Sequence, residues 1–120
     1  MPDLIPWLSA FFVTQAVEVP IYALALGREP VARSWPRRLG LGFLASAITH
    51  PVVWFVLPAL LGLEEYARYF VIAESFAVVA EATLLRIVGV SWTRALVWAL
   101  VANGSSVVVG LGLRAAFGWP

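Results

Sequence analysis

Apolar stretches of about 20 residues recur four times along the chain, separated by short segments holding arginine, glycine and proline. They run from about Leu4 to Leu26, Leu39 to Leu61, Tyr69 to Val88 and Ala95 to Leu113. At about 1.5 Å of rise per residue, each is long enough to cross a bilayer core of about 30 Å as a helix. The intervening segments, Gly27–Arg38, Gly62–Arg68 and Gly89–Arg94, are short, which makes consecutive helices antiparallel neighbours. The pattern predicts an all-α fold, a four-transmembrane-helix bundle occupying residues 1–120 as a single transmembrane domain.

Composition agrees. Of the 120 residues, 62 % are apolar and 12 % charged, too few charges for a soluble domain of this size. A net charge of +1 gives no field for nucleic acid. The absence of cysteine excludes disulfides, thiolate catalysis, cysteine zinc sites and iron–sulfur clusters.

The arginines set an orientation. All eight basic residues are Arg, and Arg28, Arg33, Arg37 and Arg38 fall in the first linker. Arg86 and Arg94 flank the third, while Arg68 and Arg114 lie toward the other side. The positive-inside rule predicts cytoplasmic first and third linkers and both termini outside. Trp35 and Trp92 mark the inner interface, and Trp7, Tyr66, Tyr69 and Trp119 the outer one. The opening Met1-Pro2-Asp3 lacks the basic start of a cleaved signal peptide.

The two halves resemble each other. Ser34-Trp35-Pro36-Arg37 precedes the second span and Ser91-Trp92-Thr93-Arg94 the fourth. In that register Ala45 matches Ala102, Ser46 matches Asn103, and Thr49 matches Ser106. Glu18 and Glu81 then match on the first helix of each half. Both hairpins start outside, so the expected repeat is parallel, with a pseudo-two-fold axis along the membrane normal.

Ionisable side chains at bilayer depth are costly, about 2.5–3.5 kcal/mol each on insertion scales, and turn toward protein or water. The first span carries Gln15 and Glu18, the second Thr49 and His50, the third Glu74 and Glu81, and the fourth Asn103 and Ser106. These are the candidate binding residues. Counting along the spans brings Glu18, His50, Glu81 and Asn103 to a common depth and puts Glu74 farther out, which ranks Glu81 above Glu74. Pro20 and Pro51 each remove a helix donor, and Thr49-His50-Pro51 reads as a kink presenting imidazole and carbonyl inward. There is no second histidine and no HExxH pattern, so no zincin-type site is expected. No cofactor is indicated, and metal binding at His50 is left open.

Ser46-x-x-Thr49-His50-Pro51-x-x-Trp54, then Ala73-Glu74, Glu81-Ala82 and Asn103-x-x-Ser106, resembles a group of uncharacterised small bacterial four-helix integral membrane proteins. The resemblance implies a bacterial inner-membrane location and no activity. Three functions compete. The first is proton- or cation-coupled binding or transport, as a homodimer because four helices enclose little volume. The second is a partner or assembly subunit of a larger membrane complex, with the polar layer structural. The third is an intramembrane enzyme acting on a lipid or isoprenoid, with His50 as general acid or base. Apart from the lipid bilayer, the expected partners are a second copy or a membrane complex.

Overall fold

The computed structural model describes residues 4–30, 34–61 and 66–119. Asp3, Arg33, the segment 62–65 and the side chain of Tyr66 lie outside the described residues. Four helices carry the chain: α1 (Leu4–Leu26), α2 (Trp35–Leu61), α3 (Tyr66–Ile87) and α4 (Trp92–Phe117). Among the described residues α1, α2 and α4 are long and apolar enough to cross a membrane. At 22 residues α3 matches them in length, but Arg68, Glu74, Glu81 and Arg86 lower its hydropathy.

The first helix has the expected limits, whereas α2, α3 and α4 each start about three or four residues early. Caps explain two of the three. Ser34 and Ser91 both hold extended backbone immediately before a helix, and the Ser91 hydroxyl accepts from the Arg94 amide at 3.4 Å. Pro36 sits in the first turn of α2, where a missing N–H costs nothing. The recurring Ser-Trp-x-Arg is therefore a helix start. The third helix ends at Gly89, whose φ of 111° suits glycine, and the Val90 amide reaches back to the Leu85 carbonyl at 3.0 Å. At the far end of α4, Gly118 closes the helix with a φ of 64°.

Pro51 does not break α2. It opens into a π-helical turn over Val52–Val56, which accommodates the missing donor, and the helix resumes. Tyr69 on α3 donates its hydroxyl to the Val53 carbonyl inside that turn.

The helices form a square in which α1 packs on α2 and α4, and α3 packs on the same two. Glu29, after α1, pairs with Arg94, at the start of α4, at 3.3 Å, so the first and third linkers share one end of the bundle. That end holds the core: Tyr22, Leu26, Ala45, Ala82, Leu85, Val90 and the alanines 95, 99 and 102. Small residues let the backbones approach there. A Cβ added at Gly42 would lie 3.2 Å from the Tyr22 Cβ and 3.4 Å from the Val19 backbone, while Gly40 faces open space. The opposite half is more loosely filled and carries the cavities described below. Large apolar side chains such as Phe12, Leu24, Leu60 and Val108 face outward, as lipid contact requires.

Candidate functional site

Where the tight half meets the loose half, two carboxyl groups approach each other from opposite corners of the square. Glu18 on α1 and Glu81 on α3 are each 1 % exposed, and the network links them: Ser106, which bonds Glu18, also reaches the carbonyl of Asn103, which bonds Glu81. Every other helix contributes donors. Glu18 accepts from the Ser46 hydroxyl of α2 and the Ser106 hydroxyl of α4, both at 2.7 Å. Glu81 accepts from the Tyr22 hydroxyl at 2.7 Å, the Thr49 hydroxyl at 2.8 Å and the Asn103 amide at 3.2 Å. Asn103 spends its second amide hydrogen on the Ala99 carbonyl at 2.8 Å, so its orientation is fixed. Among the described residues, neither carboxyl forms an ion pair with an arginine or the histidine.

Two of the hydroxyls have a choice of acceptor. Thr49 Oγ1 lies 3.2 Å from the Ala45 carbonyl and 3.4 Å from that of Ser46, besides Glu81. Ser106 Oγ lies 3.0 Å from the Asn103 carbonyl, besides Glu18. A hydroxyl carries one hydrogen and two lone pairs. Each can donate to an ionised carboxylate, or turn to its own helix and accept from a protonated one.

A cavity of about 150 Å³ adjoins this layer on the loose side. Thr49, Asn103 and Ser106 line it together with Thr14, His50 and Glu74. A polar space of that size can hold several waters.

The sequence-derived candidates thus divide. Glu18, Thr49, Glu81, Asn103 and Ser106 meet in one hydrogen-bonded layer. Gln15 stands apart, donating to the Phe43 carbonyl of α2 at 3.2 Å. His50 borders the cavity without a hydrogen bond to either glutamate. Its ring stacks on Trp54 at 6.1 Å and meets Phe11 at 5.5 Å and Trp7 at 6.2 Å, and its Nδ1 has no hydrogen-bond partner among the described residues. One residue on from Thr49, it points about 100° away around α2 and so turns to the aromatic face of α1. The imidazole thus borders the inner cavity beside Thr49 but takes no part in the bonds of the glutamate layer. Glu74 lies seven residues, about two turns, along α3 from Glu81 and outside that layer. With α3 running from Tyr66 to Ile87, its middle falls between residues 76 and 77, closer to Glu74 than to Glu81. Glu74 borders the cavity and accepts no hydrogen bond from any described residue.

Two members of the layer stand outside the candidate set. Ser46 was signalled by its repeat match to Asn103. Tyr22, 0 % exposed and four residues after Glu18 on the same face, had only that spacing to mark it. Among the described residues no group of three or more His, Asp or Glu side chains is placed to hold a metal ion. Compared with known protein families, curated proteins and solved structures, the chain matches none.

Proposed function

We propose that the Glu18–Glu81 pair holds an exchangeable proton, and that this proton is given up when a cation or cationic solute occupies the adjoining cavity. One observation carries the reading: two buried carboxyls share one hydrogen-bonded layer, with donors on every side and no paired cation among the described residues. Two negative charges that close, away from water, repel strongly, and one shared proton relieves the repulsion. The alternative acceptors of Thr49 and Ser106 support it, because they let the surroundings satisfy the pair in either charge state.

The same bonds support the parallel repeat. Exchanging Glu18 with Glu81, Ser46 with Asn103 and Thr49 with Ser106 turns the Glu18–Ser46 bond into Glu81–Asn103. It also turns Glu18–Ser106 into Glu81–Thr49. The tightly packed half closes the bundle on one side, so passage across the bilayer would need a second copy. We place the chain in the bacterial inner membrane with both termini outside. Cysteines replacing Pro30 and Glu64 should then label from opposite sides of intact cells, and labelling of both from outside would end this topology.

A second reading has support of its own. All the donors around the pair are satisfied, as they would be in a structural clasp within a subunit of a larger complex. Infrared titration of the purified protein separates the two. Proton exchange predicts a protonated-carboxyl band that both Glu18→Gln and Glu81→Gln alter, and proton release, read with a pH dye, on adding a cation from a panel of sodium, potassium and alkylammonium salts. A band that does not respond to either substitution, or no release with any of these cations, favours the clasp.

A further inference from the structure

The wall between α3 and α4 is open on the outside of the bundle. A groove of about 420 Å³ lies there, with Phe70, Val78, Leu100 and Val107 among its apolar walls. Glu74, Asn103 and Val107 line both this groove and the inner cavity, so the two spaces adjoin at the Glu74 carboxyl. Val79 and Leu100, among the residues lining the groove, are 57 % and 63 % exposed and face outward.

We propose that this groove binds a lipophilic ammonium ion taken from the membrane, its apolar body between α3 and α4 and its ammonium on the Glu74 carboxyl. The proposal rests on the proton-exchange reading and names its ligand class. Glu74 is a carboxyl within one turn of the middle of α3, lining both spaces, with no donor from the described residues. An ammonium supplies up to three donors and the opposite charge at once. The apolar walls give a bare metal ion or a strongly hydrated cation nothing to replace its water, whereas they match an alkyl or aromatic body. The volume falls in the range of small-molecule sites, which suits a single chain or ring system.

Coupling follows from position. Glu74 and Glu81 lie seven residues apart on one face of α3, and Asn103, which lines the cavity with Glu74, donates to Glu81. The other groups facing this region are Glu18 and Tyr22 from α1, His50 from α2, and the uncharged Asn103 and Ser106 from α4. An ammonium on Glu74 favours ionisation of the pair, so one bound cation displaces one proton and the net charge of the site is unchanged.

Calorimetry on the protein in zwitterionic nanodiscs, with empty discs as reference, tests this with dodecylammonium, choline and sodium as probes. Dodecylammonium should bind saturably with release of about one proton, while choline and sodium at equal concentration should not saturate. Nothing lies within 4 Å of a Cβ built at Gly104, which lines the groove, so the backbone there accepts a side chain and Gly104→Phe adds a bulky ring to the groove's lining. Gly104→Phe and Glu74→Gln should each weaken binding about tenfold or more, and Gly104→Ala should not. No saturable dodecylammonium binding, binding that ignores both substitutions, or equal binding of choline overturns the groove site. Groove-dependent binding without proton release overturns the exchange reading and leaves the groove site standing.

Discussion

Glu81→Gln should give a folded bundle whose cation binding no longer varies with pH. The amide oxygen can take over the bonds from Tyr22 and Asn103, which both reach Oε1. The amide nitrogen then replaces Oε2 and donates to Thr49, whose hydroxyl turns to the Ala45 carbonyl. Each donor keeps an acceptor, so the cost to stability is that of about one altered hydrogen bond, roughly 0.5–1.5 kcal/mol. What is lost is the titration. Glu81→Ala should behave differently. Thr49 and Asn103 retain backbone acceptors, but Tyr22, fully buried and bonded through its hydroxyl to Glu81, is stranded. The expected penalty is about 1–3 kcal/mol, partly recovered by adding Tyr22→Phe, as thermal denaturation in detergent would read. If Glu81→Gln leaves pH-dependent binding intact, the carboxyl is structural and the proton belongs elsewhere.

The second large effect is expected at Gly42. Here α1 and α2 come together with no space for a side chain, since even a Cβ would press on Tyr22 and on the Val19 backbone. Gly42→Leu must push the helices apart, and overpacking of this kind costs about 1–3 kcal/mol or more. The separation also pulls Ser46, one turn along α2, away from Glu18. Gly40→Leu, two residues earlier and facing open space, should leave the melting temperature unchanged or raise it slightly. Equal effects of the two substitutions would show that the close approach of α1 and α2 is not what holds the bundle.

Depth was largely legible in the sequence, and rotation about the helix axis was not. Run length located α1 to the residue and the other helices to within about one turn, and counting along them brought Glu18, His50, Glu81 and Asn103 to one depth, three of which share the hydrogen-bonded layer. Which side of a helix faces inward is harder to read, because in a bilayer the outward residues are as apolar as the inward ones. His50 illustrates this: it borders the cavity beside Thr49, yet its ring packs on Trp54 and Phe11 and not on either glutamate. The middle of α3 shows an edge effect. The helix begins at Tyr66, three residues before the apolar run becomes obvious, and its middle moves accordingly. Tyr22 was hidden by its chemistry, since a tyrosine in an apolar stretch looks like bulk until its hydroxyl finds a partner. The Ser-Trp-x-Arg repeat was visible, but its physical meaning as a pair of helix caps needed the backbone angles.

The double acceptors of Thr49 and Ser106 bear on speed. Passing from one charge state of the pair to the other requires a turn about the Cβ–O bond of each hydroxyl and no displacement of a helix. Side-chain rotations of that kind belong to picoseconds and nanoseconds, whereas rocking of helical hairpins takes microseconds or longer. Protonation at this layer should therefore equilibrate before the bundle can move. It would set the balance of forces on a slower rearrangement, and the rate of any overall cycle would belong to the helices and to the arrival of the cation.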